Sequence, residues 1–155
     1  MRETAMKYFH PSTIFLAKHA QHIVVVHFPI ALLVTSVLFD LLARWTGRGT
    51  LASAAVWNLY GAAVTAPVAA ITGVLAWRLL LEGARLKGAL LLHLCAGVIV
   101  LLLIGGMAWF RLRRGEAGER PLSVGYFVVG VLAVVAVAVA GHLGGVVSGV
   151  VTIGG

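Results

Sequence analysis

From residue 22 to residue 33 the chain reads His-Ile-Val-Val-Val-His-Phe-Pro-Ile-Ala-Leu-Leu, and this stretch opens its first long apolar run. The run continues to Ala43 with a single charged residue, Asp40. A helix needs about 20 mostly apolar residues to cross the hydrocarbon layer of a bilayer. The stretch therefore predicts a membrane-spanning helix whose entrance carries two ionisable rings and a proline.

The composition of the whole chain agrees with a location in the membrane. Of 155 residues, 61% are hydrophobic and only 11% are charged, which is too few charges to cover a soluble domain of this length. The formal charge of +7 resides in short segments between apolar runs, a pattern typical of membrane topology signals rather than of nucleic-acid binding. We expect a lipid bilayer as the environment and no nucleic-acid partner, and the N-terminus shows no signal-peptide cleavage pattern.

Four apolar runs define the predicted architecture. The predicted spans cover residues 23–43, 51–77, 88–110 and 122–143. An interfacial lead-in over residues 1–21 precedes the membrane domain of residues 22–145, and an apolar, glycine-rich tail over residues 146–155 follows it. Because the connections are short, consecutive helices should be antiparallel neighbours. The sequence thus predicts an all-α integral membrane four-helix bundle with up-down topology.

Positively charged residues are divided evenly between the two membrane faces. One face receives Arg44, Arg48, Arg111, Arg113, Arg114 and Arg120, and the other receives Arg2, Lys7, Lys18, Arg78, Arg85 and Lys87. Arg2 lies outside the zone of about 15–20 residues from a span within which positive charge directs topology. We therefore expect both termini on the outer side of a bacterial cytoplasmic membrane.

Three histidines should reach one membrane face at similar depth. In an antiparallel bundle the starts of spans one and three and the end of span four share a face. His27 and His93 should lie there about 8 Å inside the layer, and His142 returns to the same face. Ionisable groups inside a bilayer usually face a partner or a cavity, and imidazole commonly binds iron, zinc and copper.

A haem between helices suits this arrangement, because an apolar bundle shelters the porphyrin while two imidazoles ligate the iron. We expect haem b with His27 and His93 as the axial pair. His142 is the alternative ligand, and His22 is a candidate for a position beside this site or in a second one.

Two other interpretations of these histidines stay open. Each ring is also compatible with a hydrogen bond to a backbone carbonyl or to interfacial water, and the same three rings suit copper or zinc. Small residues near the histidines leave space for a flat macrocycle and equally permit close helix packing. These residues are Ala31, Ala89, Ala96, Gly97, Gly141, Gly144 and Gly145.

Two further side chains have structural interpretations. Asp40 precedes Arg44 by four residues, which predicts an ion pair along one helix face. Cys95, the single cysteine, is predicted to be a small buried hydrophobe. No serine, cysteine or carboxylate arrangement of a hydrolase, no phosphate-binding loop and no CxxCH motif is present.

The opening of span one resembles a family of small four-span "predicted membrane proteins" of unknown function, whose hallmark is H-P-x-x-V-H-F-P-I-A-L-L. His22 and the residues 26–33 match the hallmark, and Ile23 replaces its proline. The resemblance extends to Asp40, to His93 in the third span and to Leu-Gly-Gly at residues 143–145. After that element the family tends to carry a further histidine, which this chain lacks.

This resemblance implies the four-span fold without an established activity. Members of the family look like parts that are sometimes joined to c-type cytochrome domains, which favours electron transfer. We therefore expect an electron-transfer subunit of b-type cytochrome character that relays electrons between a quinone pool and an extracytoplasmic partner. Other membrane subunits or c-type cytochromes are the expected protein partners. The alternative is a cofactor-free accessory subunit of a larger membrane complex, and in either case the chain is more an accessory or electron carrier than an enzyme.

Overall fold

The computed structural model describes residues 18–114 and 122–149. These residues form four helices and no strand: α1 (Lys18–Thr46), α2 (Gly49–Leu80), α3 (Gly88–Arg114) and α4 (Val124–Val147). All four are long and apolar enough to cross a membrane. The all-α, four-span membrane fold predicted from the sequence is confirmed. Most of the predicted lead-in and the end of the predicted tail lie outside the described residues.

Short connections fix how consecutive helices pack. α1 ends at Thr46, and the next residue, Gly47, has a φ of +68° and donates its N–H to the carbonyl of Ala43 at 2.8 Å. α2 begins two residues after Gly47. At the start of α4, the side chain of Ser123 accepts a hydrogen bond from the N–H of Tyr126 at 3.3 Å and caps the helix.

In each connected pair of helices, residues early in one helix contact residues late in the other. Ser36 donates to the carbonyl of Ala55 at 2.8 Å, whereas Leu32, earlier in α1, meets Gly61, later in α2. In the same way Met107 of α3 meets Gly130 of α4, whereas His93, earlier in α3, meets Ala140, later in α4. The connected helices are therefore antiparallel, and α1 and α3 run parallel to each other.

The core contains few large side chains and many small ones. Leu33, Leu59 and Ile104 are fully buried, and alanines at positions 55, 62 and 133 allow the helices to approach closely. Large aliphatic side chains such as Val64 and Leu102 instead point outward. This distribution suits a bundle surrounded by lipid, because lipid tails solvate large aliphatic side chains as well as a protein interior does.

The prediction that Cys95 is buried was wrong. Its thiol is exposed on the outer surface of α3. Cys95 is two positions after the inward-facing His93, which places the two side chains on different helix faces, and the face of Cys95 is the exposed one.

Replacing Gly130 with leucine should destabilise the bundle. A Cβ atom at this position would lie 3.2 Å from Val37 and 3.4 Å from Met107, so a leucine overpacks the contact of α4 with α1 and α3. We expect a loss of about 1–3 kcal/mol, measured as a lower midpoint of thermal unfolding in detergent. The matched control is Gly97→Leu, because Gly97 has no atom outside its own helix within 4 Å of such a Cβ. Equal midpoints for the two variants would contradict the packing described here.

Candidate functional site

Two imidazole rings from parallel helices meet at one end of the bundle. The ring centroids of His22 on α1 and His93 on α3 are 6.5 Å apart, and the ring planes are inclined at 81°. Both residues are half-buried. We call His22 and His93 the histidine pair.

Hydrogen bonds hold each ring of the pair against a neighbouring helix. Nδ1 of His93 lies 2.9 Å from the carbonyl oxygen of Ala140 on α4, and a carbonyl can only accept. Nδ1 of His22 lies 3.0 Å from the hydroxyl of Thr72 on α2, which donates its own proton to the carbonyl of Ala69 at 2.8 Å. Nδ1 is therefore the protonated nitrogen in both rings.

This arrangement matters for chemistry because it fixes the tautomer. In the neutral rings Nε2 then carries the lone pair that a metal ion requires. Histidines that bind metals are usually oriented by such a hydrogen bond from the other ring nitrogen to an oxygen.

A glycine lies against each ring of the histidine pair. A Cβ atom at Gly73 of α2 would be 3.0 Å from Cε1 of His22, and one at Gly144 of α4 would be 3.1 Å from Cε1 of His93. A methyl group at either position would push the imidazole away by a few tenths of an ångström. Glycine therefore lets each ring pack directly on the neighbouring helix, and Gly144 belongs to the Leu-Gly-Gly element noted in the sequence.

The other predicted ligands lie elsewhere on the bundle. His27 is exposed, and its Nδ1 is 2.5 Å from the carbonyl of Ile23 in its own helix. His142 is exposed near the end of α4. At about 100° per residue, five residues rotate His27 by about 140° from His22 around α1, so the two rings occupy different faces. The ring that meets His93 is that of His22, and ligand roles for His27 and His142 stay predictions.

No group of three His, Cys, Asp or Glu side chains that could hold a metal ion occurs within the described residues. Of the small residues predicted to surround a macrocycle, Gly144 contacts a ring of the pair, whereas Gly97 and Gly141 have no neighbour within 4 Å of an added Cβ. Sequence reasoning missed Thr72 and Gly73. A polar residue next to a glycine inside the apolar run of residues 51–77 was the signal that could have identified them.

A second polar cluster lies at the opposite end of the bundle. The buried carboxylate of Asp40 accepts a hydrogen bond from Nη2 of Arg111 on α3, and the two form an ion pair. Nε of Arg111 donates to the hydroxyl of Tyr126 at 3.1 Å, and the guanidinium lies 5.0 Å from the centroid of that ring. The other carboxylate oxygen of Asp40, Oδ2, is buried without a hydrogen-bond partner.

The predicted pair of Asp40 with Arg44 was wrong. Asp40 faces the interior, where α3 supplies the guanidinium of Arg111. Arg44 instead donates to the carbonyl of Leu122 at 3.4 Å and lies 5.3 Å from the centroid of Phe127. Four residues do place Asp40 and Arg44 near one another along α1, but the interior position of Asp40 decides its partner.

Comparison with known proteins identifies a family to which the chain is similar. The model of a family described as "Predicted membrane protein (DUF2231)" matches residues 18–154. No curated protein and no solved structure matches the chain.

Alanine at either glycine of the site should displace the imidazole beside it. We expect Gly73→Ala to shift the ring resonances of His22 and Gly144→Ala to shift those of His93, because each added methyl would clash with that ring. The measurement is nuclear magnetic resonance of protein with isotope-labelled histidine. Gly141→Ala is the control and should leave both rings unchanged. The described contacts are incorrect if Gly141→Ala shifts the rings as much as the other two variants do.

Proposed function

The chain belongs to the DUF2231 family of predicted membrane proteins, and from this membership together with the site geometry we propose that it binds haem b and transfers electrons within a membrane. The histidine pair would hold the iron. The chain would then be a subunit of b-type cytochrome character rather than an enzyme with its own substrate chemistry.

The separation of the two rings is the observation that supports this proposal most. Two imidazoles from different helices can hold one metal-centred group only where they lie close together at the same depth. The centroids of His22 and His93 are 6.5 Å apart. The donor set also fits, since both rings are held in the tautomer that leaves Nε2 unprotonated.

The residues around the histidine pair each contribute to the proposed haem site. Haem supplies a one-electron couple whose potential depends on its axial ligands, on hydrogen bonds to them and on burial. Thr72 and the carbonyl of Ala140 orient the ligands, and the apolar helices exclude water. Arg85 and Lys87, exposed in the α2–α3 connection at this end of the bundle, suit the negative charges of haem propionates.

The membrane orientation and the redox partners that we propose follow from the distribution of positive charge and from the position of the histidine pair. Within the described residues, the end opposite the histidines has five positive residues and the histidine end has four, which favours a cytoplasmic position for the former end in a bacterial cytoplasmic membrane. The five are Arg44, Arg48, Arg111, Arg113 and Arg114, and the four are Lys18, Arg78, Arg85 and Lys87. The histidine pair would then lie near the outer face. Electrons would pass between the quinone pool and an extracytoplasmic redox partner such as a c-type cytochrome subunit.

One set of contacts favours a second candidate function, that of a cofactor-free accessory subunit. The bond from His22 to Thr72 joins α1 to α2, and the bond from His93 to Ala140 joins α3 to α4. Histidines in such bonds stabilise a bundle without any cofactor. A third candidate function is the binding of copper or zinc by the same histidines, which metal analysis distinguishes from haem binding.

Haem binding should depend on the histidine pair. The purified protein, produced with sufficient haem, should show reducible Soret and α bands. His22→Ala and His93→Ala should each lower the ratio of haem to protein by about tenfold or more, since loss even of an outer partner of a ligand costs about 10–100-fold in affinity. Absorption spectroscopy of the oxidised and reduced proteins provides the measurement.

His27→Ala and His142→Ala are the matched controls and should retain haem, because both rings are exposed outside the pair. Loss of haem in His27→Ala with retention in His22→Ala would return the ligand role to His27. Absence of haem bands from the parent protein would refute the proposal, and metal analysis of the same sample separates bound copper or zinc from the cofactor-free alternative.

A further inference from the structure

The two polar pairs of the bundle have the same spacing on both helices. His22 and Asp40 are 18 residues apart on α1, and their partners His93 and Arg111 are 18 residues apart on α3. Eighteen residues correspond to five full helical turns, or about 27 Å. Each helix therefore presents its two polar residues on one face, towards the same partner helix.

Because the spacing is the same on both helices, His22 and Asp40 are each paired with the residue 71 positions later in the chain. Asp40 and Arg111 are separated by 71 residues, as are His22 and His93. The two glycines that contact the histidine pair, Gly73 and Gly144, share this separation, and so do the carbonyl acceptors of Ala69 and Ala140. The second hairpin thus repeats the spacing of the histidine site without gaps. Only the hydrogen bond differs: Leu143 occupies the position equivalent to Thr72, so His93 bonds the carbonyl of Ala140 directly.

Burial repeats with the same period. The buried residues of α3 and α4 are Ile104, Met107, Ala108, Tyr126, Gly130, Ala133 and Val137. The residues 71 positions earlier are Leu33, Ser36, Val37, Ala55, Leu59, Ala62 and Ala66, and every one of them is buried. Because the chemical types differ at most of these positions, the shared feature is the packing geometry and not the composition.

We infer that the chain is a tandem repeat of one helical hairpin, with Asp40 and Arg111 as the positioning pair that holds the two hairpins in the register in which His22 meets His93. Parallel repeats in membrane proteins are related by an axis along the membrane normal. Equivalent residues of two such halves can touch only beside that axis, and both polar pairs meet this condition. The inference deepens the proposed function and rests on it for what the histidines bind, whereas the register itself does not depend on haem.

The chemistry of the two pairs explains why they differ. Two identical imidazoles can face each other across an axis and share a ligand. Two carboxylates or two guanidiniums in the same position would repel each other inside the membrane, so a charged pair beside the axis requires opposite signs. Asp40 and Arg111 satisfy this requirement, and Tyr126 accepts a further hydrogen bond from Arg111.

Both pairs depend on one register because they lie along the same two helices. A slide or rotation of one hairpin past the other would separate the ion pair and the histidines together. The ion pair is the stronger constraint, since separating it leaves two charges unpaired where little water can reach them. Asp40 and Arg111 therefore act on the histidine site from the opposite end of the bundle.

Exchanging the two charges provides the test. Spin labels at Ile23→Cys and Leu94→Cys, exposed equivalent positions beside the two histidines, report the distance between the hairpins in a Cys95→Ser background. The full chain is reconstituted in bilayers without haem and measured by electron paramagnetic resonance. We expect a narrow distance distribution in the parent, a broad one in Asp40→Arg and in Arg111→Asp, and a narrow one again in the double variant.

Arg113→Asp is the matched control, since it makes the same charge change on α3 at an exposed residue that lies over Trp109, and it should keep the narrow distribution. Narrow distributions in both single variants, or a double variant as broad as the single ones, would overturn the inference. If the double variant does not insert into bilayers, Asp40→Glu and Asp40→Asn provide the test. The distance distribution should stay narrow in Asp40→Glu, which keeps the charge, and should broaden in Asp40→Asn, which removes it. Because the distances are measured without haem, a negative result in this experiment is independent of a negative result in the haem spectrum.

Discussion

The scarcity of polar partners inside the membrane is the constraint on which this structure depends. A polar or charged side chain among four apolar helices must find its partner within the bundle, since the hydrocarbon layer supplies none. The bundle meets this constraint at both ends. At one end His22 and His93 bond Thr72 and the carbonyl of Ala140 on neighbouring helices, and at the other the ion pair of Asp40 and Arg111 joins α1 to α3. Small residues in the core then let the helices approach closely enough for these contacts to form.

The sequence was sufficient for the fold because hydropathy over four long runs has few structural solutions. It was not sufficient for the site, because depth along a helix is easily read from residue counts whereas the facing direction depends on packing. His27 and His93 have matching depths, yet His22 has the facing direction that brings its ring to His93. The errors at Asp40 and Cys95 have the same origin, since both concern which face of a helix turns inward.

The repeat of 71 residues was present in the sequence but is hard to see there. Alanine, valine, leucine and glycine occupy most equivalent positions, and exchanges among them weaken any similarity between the halves. Burial restores the signal, since packing geometry persists where residue types change. The repeat also supports the proposed haem site, because an axis between two equivalent histidines is a natural position for a ligand that binds both rings alike.

The central claim is that His22, and not His27, faces His93 across the bundle. Solid-state nuclear magnetic resonance of histidine-labelled protein in bilayers tests it most directly, because ring-to-ring correlations report short distances without any cofactor. We predict a correlation between the rings of His22 and His93 that disappears in His22→Ala and persists in His27→Ala. A correlation that joins His27 to His93, or one that survives the loss of His22, would contradict the account.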